Sequence, residues 1–179
     1  MKIRMLYITI VLLAFICATP FFALQEKATI PLTGINYFDL TPSAKKEVEC
    51  LADNIYFESA YEPEDGKIAV GLVTMNRVKH GFDDSVCGVV KQKIRSTCQF
   101  SWWCEEKPKQ ASLAKDKYLN DRQKKVYLSA QDIALYVYMN YENLNDNTHG
   151  ALYYHADYVN PRWKLEKTVT IGRHIFYKP

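Results

Sequence analysis

Glu58 is the residue in this chain best placed to move a proton. It lies in the stretch Cys50–Val78, CLADNIYFESAYEPEDGKIAVGLVTMNRV. Val48, Leu51, Ala52, Ile55 and Ser59 recur at helical spacing and predict one buried stripe. Glu58 follows Ile55 by three residues and Leu51 by seven, so it flanks that stripe and does not face water. An acid near a helix end and against apolar neighbours is disfavoured in its charged form, so it keeps its proton towards neutral pH. Protonating the leaving oxygen of a glycosidic bond needs such an acid. Glu62, one turn on, is a candidate for binding substrate and would share a wall with Glu58 if the helix reaches that far. A hydrolase normally uses two carboxylates at defined separations. A transglycosylase needs one group, acting first as acid and then as base on a hydroxyl of the sugar. Glu62, Glu64, Asp65 and Asp157 are available as second carboxylates, but none stands at a diagnostic spacing. Caps and solvated charges are their ordinary roles.

Two further patches carry possible chemistry. In Cys98-Gln-Phe-Ser-Trp-Trp-Cys104, adjacent indoles in a disulfide-sized loop could stack on sugar rings. Gln99 and Ser101 could hydrogen-bond hydroxyl or N-acetyl groups. Large aromatics also anchor cores, and neighbours seldom both point inward, so one ring of Trp102 and Trp103 is expected inside and one outside. Trp102 is assigned to the saccharide. In Tyr153-Tyr154-His155-Ala156-Asp157, Tyr154 and His155 are candidates for positioning substrate, although a lone His is more often a structural hydrogen-bonding group. His149, His155 and His174 do not match a zinc spacing and no C-x-x-C occurs, so neither a metal nor another cofactor is expected.

The elements that must position these groups are mostly helical. Thr41-Pro42 supplies a cap and a first-turn proline, and Pro63 should stop the first helix near Glu62. Asp65 would cap a second helix carrying Ile68, Ala69, Leu72, Val73 and Asn76, which stops at His80-Gly81. A short helix is predicted over Ser85–Gln92. Asp121 would cap a long one with Val126, Ala130, Ile133, Ala134, Val137 and Tyr141 inside. Lys107–Asn120 is polar and reads as a surface insertion. Ala151–Pro179 is rich in Tyr, Val, Ile and Thr and predicts short strands. There is no internal repeat.

The chain has 179 residues, 48% of them hydrophobic, which suits one domain with a sizeable core. Lys2 and Arg4 precede an uncharged apolar run from Met5 to Ala18, the pattern of a signal peptide or signal anchor over residues 1–24. Residues 25–42 read as a linker and 43–179 as the functional domain. Without Lys2 and Arg4, the 23 basic residues fall to 21 against 20 acidic ones. That balance gives no basic face for nucleic acid. Export favours two disulfides among Cys50, Cys87, Cys98 and Cys104. Cys98 with Cys104 makes a plausible small loop, leaving Cys50 with Cys87, as one of three possible pairings.

Several ordered blocks carry a family resemblance. Cys50-Leu-Ala-Asp-Asn-Ile-Tyr-Phe-Glu58, Glu62-Pro63, Gly66 and Asn76-Arg77-Val78 resemble the cell wall hydrolase family of the spore cortex-lytic enzymes. So do Ser85–Val90, Cys98–Cys104, Tyr154-His155-Ala156 with Pro161 and Trp163, and Ile171–Tyr177. The resemblance spans about Lys46 to Lys178. It implies a single, mainly helical α+β domain that is lysozyme-like and related to goose lysozyme. It also implies cleavage of peptidoglycan between N-acetylmuramic acid and N-acetylglucosamine, with Glu58 as catalytic acid. Spore-cortex members are regarded as lytic transglycosylases, and Glu58-Ser59 echoes the Glu-Ser pair of other such enzymes. The family's Glu-Ala-Arg-Gly-Glu stands here as Glu58-Ser59-Ala60-Tyr61-Glu62, without the Arg and the Gly. The expected partners are peptidoglycan glycan strands, with contact to a membrane only through the N-terminal segment and a monomeric state. Two other readings use the same residues: a Cys/His peptidase acting on peptide stems, and a non-catalytic saccharide-binding module built on Trp102 and Trp103.

Overall fold

In a computed structural model, Gly34, residues 36–105 and residues 119–179 are described. The signal segment 1–24, most of the linker and nearly all of the charged insertion lie outside the described residues.

A buried helix, α1 (Pro42–Ser59), forms the axis of the molecule. Thr41 Oγ1 accepts from the Ala44 amide at 3.2 Å and Pro42 occupies the first turn, so the start is as the sequence predicts. The end is not: helix α1 stops at Ser59, three residues short of Glu62. Val48, Cys50, Leu51, Ala52, Asn54, Ile55 and Ser59 are all buried, a wider surface than one stripe. Helices α2 (Glu64–Lys79), α3 (Val86–Lys91) and α5 (Asp121–Asn140) pack around it. Side chains of α1 and α5 close on the α2 backbone at Gly71, where a Cβ would meet Ile55 Cδ1 at 3.2 Å and Val137 Cγ2 at 3.4 Å.

Helix α2 begins two residues earlier than expected. Its N-cap is Pro63, and Glu64 and Asp65 lie within the first turn, where their charges suit the helix dipole as Arg77 and Lys79 do at the other end. In α5 the cap is Asn120, in a reciprocal capping box with Gln123, and Asp121 is the first helical residue. Tyr127 takes the buried position expected of Val126. Helix α3 is capped by the Ser85 hydroxyl on the Gly88 amide.

Two small sheets complete the α+β domain. Strands β1 (Lys93–Ile94) and β2 (Thr97–Cys98) form a hairpin that leads into the one-turn helix α4 (Ser101–Cys104). Strands β3 (Tyr153–Ala156), β4 (Glu166–Ile171) and β5 (His174–Lys178) form an antiparallel sheet in the order β3-β5-β4. Phe176 of β5 is fully buried against Ala69 and Val73 of α2 and Ala151, with Tyr154, Val169 and Ile171 around it. Helix α2 therefore serves two cores: Val70 and Leu72 join the helical core, and Ala69 and Val73 the sheet. The described cysteines pair Cys50–Cys87, tying α1 to α3, and Cys98–Cys104, closing the loop around α4. No helix among the described residues is long and apolar enough to cross a membrane.

The described end of the linker is docked. A 3-10 turn at Tyr37–Asp39, capped by Asn36, sends the Tyr37 hydroxyl to Glu49 Oε1 at 2.5 Å. One turn further along α1, Asp53 accepts from the Tyr127 hydroxyl at 3.2 Å. Burial pushes the Asp53 pKa up from 3.8 to about 7, the Tyr127 bond and Lys91 oppose the rise, and Glu49 adds to it. With the folded value raised, the charged form is penalised in the native state. Stability therefore falls as pH climbs from the unfolded value through about 7. Asp53→Asn keeps an acceptor for Tyr127 and removes the charge. It should stabilise the protein by on the order of 2 kcal/mol at about pH 8 and leave it nearly unchanged at about pH 4. Thermal melts of both proteins across that range check the sign; a gain equal at both ends would contradict it.

Candidate active site

Glu58 is the penultimate residue of α1. It stays partly open to solvent, but protein atoms crowd its carboxyl, and this burial raises its pKa from 4.5 to about 6. The negative end of the α1 dipole also disfavours a carboxylate there. Tyr154 and Arg77 pull the value down and Glu105 pushes it up. Three parts of the chain thus meet the acid: the edge strand β3, the last turn of α2, and the residue just after α4.

Tyr154 comes from the inner face of β3. Its ring packs against Phe176 and His174 at centroid distances of 5.6 and 5.1 Å. Its hydroxyl is buried, acts on the Glu58 carboxyl and has no partner at bonding distance among the described residues. Burial, then the Glu58 charge, hold the phenol well above its ordinary pKa, so it stays protonated and can donate. Arg77 is the buried cation of the site. Its Nε donates to the Leu152 carbonyl at 2.7 Å, just before β3.

The loop Cys98–Glu105 packs alongside. Trp102 is only 5% exposed; its ring stacks on Phe57 at 4.5 Å and its Nε1–H donates to Asn54 Oδ1 at 3.0 Å. Asn54 in turn donates to Thr74 Oγ1, so Trp102 locks α4 onto α1 and α2. This corrects the assignment of Trp102 to the saccharide, because a core ring presents no face to a sugar. Trp103 is the more accessible indole, standing edge-on to Trp102 with Lys91 Nζ 5.1 Å from its ring centre. Ser101 is exposed at the start of α4, and in half-buried Gln99 the main-chain N–H donates to the Gln92 carbonyl at 2.9 Å.

His155 and Glu62 do other work than expected. Alternate strand residues point to opposite faces, so His155 is turned away from the side that carries Tyr154. Its Nδ1 lies 2.9 Å from Ala156 O and its Nε2 3.0 Å from the Tyr177 hydroxyl, and the ring stacks on Tyr177 beside Trp163. Glu62 Oε2 accepts from the Arg173 amide at 2.9 Å in the β4–β5 turn. Glycine suits that turn: the φ of Gly172 is +57°, and a Cβ would come within 2.1 Å of Glu62 Oε2 and displace the carboxyl from the Arg173 amide. Glu62 is therefore a mooring for the hairpin, not a second carboxylate acting on Glu58; the acidic neighbour that does act there is Glu105. Ser59 is buried and donates back to Ile55 O at 2.7 Å, so the Glu-Ser pair places its hydroxyl in the helix and not in the site.

Arg77 and Glu105 were missed from the sequence as site residues. Arg77 stands four residues after Val73 on the buried side of α2, and a charge at such a position is the signal that marks it. Glu105 had no such signal, because only the path of the disulfide loop brings it near.

The model of the cell wall hydrolase family matches residues 61–177, well over half of the chain, beginning three residues after Glu58. Among solved structures, the catalytic domain of the Bacillus cereus SleB protein is 27% identical, over 75% of this chain and 91% of that one, with a TM-score of 0.45. The catalytic domain of the germination-specific lytic transglycosylase SleB from Bacillus anthracis is 28% identical, over 75% and 95%, with a TM-score of 0.47. No protein of curated function matches the chain. The chain belongs to the cell wall hydrolase family and is an enzyme acting on peptidoglycan.

Proposed function

We propose that this enzyme is a lytic transglycosylase that cuts glycan strands between N-acetylmuramic acid and N-acetylglucosamine, with Glu58 as both acid and base. The observation that carries this is the recessed Glu58 carboxyl, raised to about 6 and faced by the buried Tyr154 hydroxyl. At near-neutral pH a useful fraction of Glu58 still holds its proton, while the carboxylate is also accessible for the return step. In the first half-reaction Glu58 protonates the glycosidic oxygen, the C1–O4 bond breaks, and the N-acetylglucosamine end leaves with a hydroxyl. In the second, the Glu58 carboxylate takes the proton from the muramoyl 6-hydroxyl, whose oxygen bonds to C1. One bond is exchanged for another, Glu58 regains its proton, and no water is consumed.

The role of Glu62 as hairpin mooring supports a single-carboxylate mechanism. The four described cysteines are all disulfide-bonded, which leaves none of them as the nucleophile of a stem peptidase. Two disulfides also fit an exported protein whose N-terminal segment is a cleaved signal or an anchor.

Digestion of purified peptidoglycan, with product masses recorded, tests the reading. Products ending in 1,6-anhydromuramic acid are expected; reducing muramic ends, one water heavier, would identify a hydrolase instead.

A further inference from the structure

Arg77 poses a question that its family position does not answer. It is 4% exposed, deeper than most arginines, and forms no ion pair within bonding distance among the described residues. Nε is spent on the Leu152 carbonyl, and Nη1 is buried with no hydrogen-bond partner among the described residues. Three aromatic faces surround the guanidinium: Phe100 at 4.9 Å, with Phe82 and Tyr153 each at 5.8 Å. Such rings offset part of the cost of burying a cation and hold its plane still. A buried donor left unpaired is nevertheless expensive, and native proteins seldom keep one without a use. The ionisable groups that feel this charge are Glu58, Tyr153 and Tyr154, and Glu105 opposes it at Glu58.

The acid/base cycle needs what Arg77 supplies. Burial keeps the proton on Glu58 for the first half-reaction, but the same burial resists the carboxylate that the step leaves behind. Unless something stabilises that carboxylate, the proton tends to return before the muramoyl 6-hydroxyl can attack. A guanidinium cannot be neutralised at any working pH, and its aromatic cage prevents it from moving away. We propose that Arg77 is a positioning residue for the acid/base, its fixed and partly unpaired guanidinium holding Glu58 as a carboxylate between the two half-reactions. This rests on Glu58 being the acid.

Anchoring alone is the competing explanation, because the bond to Leu152 O also fixes the start of β3. Arg77→Lys keeps the charge and loses the planar fork. Arg77→Gln and Arg77→Met lose the charge, and Met is a flexible apolar fit for an aromatic cage. The measurement is kcat/KM on purified peptidoglycan against pH, for variants whose circular dichroism and melting match a folded protein. The alkaline limb reports loss of the proton from Glu58 in the free enzyme. In the neutral variants this limb should move up by about one pH unit, with the maximal rate at least about tenfold lower. In Arg77→Lys the limb should stay at its wild-type position even where the rate drops. A limb that does not move in a folded neutral variant overturns the proposal. So does a limb that moves as far in Arg77→Lys, or failure of both neutral variants to fold while Arg77→Lys folds. Glu58→Gln is the control: if it retains activity, the Glu58 reading falls first; if it is inactive and the limb is unmoved, only the role of Arg77 falls.

Discussion

Glu58→Gln is expected to lower glycan-strand cleavage by about 10²–10⁴-fold while making the protein more stable above neutral pH. The two effects have one cause. The folded pKa of Glu58 is raised to about 6 from an ordinary 4.5, so the native state penalises the carboxylate. That penalty is absent below the unfolded value, grows as pH rises through the interval, and is complete above about 6. Gln cannot ionise. The variant should gain about 2 kcal/mol over wild type at about pH 8 and almost nothing at about pH 4. Paired measurements of product release and thermal melting would show activity lost and melting temperature gained together. A variant that cleaves within tenfold of wild type would sink Glu58 as the acid, and one that is inactive but less stable at pH 8 would point to a merely structural loss.

The largest stability effect is expected at Cys50–Cys87. This disulfide spans 37 residues, and closing a loop of that length restricts the unfolded chain enough to stabilise the fold by about 4 kcal/mol. It also holds α3 against α1 at the buried end of the helical core, where Val86, Val89 and Val90 pack. The double variant Cys50→Ala with Cys87→Ala should lower the midpoint of denaturant unfolding by that free energy. The matching change at Cys98–Cys104, a separation of only 6, should cost roughly half as much. Equal losses at the two sites would contradict the loop-closure account. Activity should respond in the opposite order, because the shorter loop carries α4 and Glu105 beside the acid.

Much of this organisation is legible in the residues themselves. Apolar spacing finds α1 and α5, Thr41-Pro42 finds where α1 begins, and β-branched and aromatic runs find the closing sheet. The failures have specific physical reasons. The end of α1 lies ahead of Pro63 by several residues because a proline restricts only the residue before it and says nothing of where a helix stops earlier. Whether Trp102 or Trp103 faces inward depends on the phase of a one-turn helix, and four residues leave no period to read. Tyr154 and His155 differ by one strand position, so choosing which faces Glu58 requires the register of β3 against β5, which neighbouring residues do not encode. Arg77 is the instructive miss, since its place on the apolar side of α2 is visible in the spacing and a charge at such a place is itself the signal.

The hydrogen bond from the Arg173 amide to Glu62 joins positions 111 residues apart, and Tyr154 reaches Glu58 across a similar span of chain. During synthesis, helix α1 and its carboxyl emerge early, whereas the sheet that covers them is among the last described parts to be made. A nascent or truncated chain ending before residue 153 therefore has the acid but neither the Tyr154 hydroxyl facing it nor the hairpin tied beside it. With Glu58 as the proposed acid, such a fragment is expected to lack cutting activity, which an assay of a chain truncated before residue 153 would check.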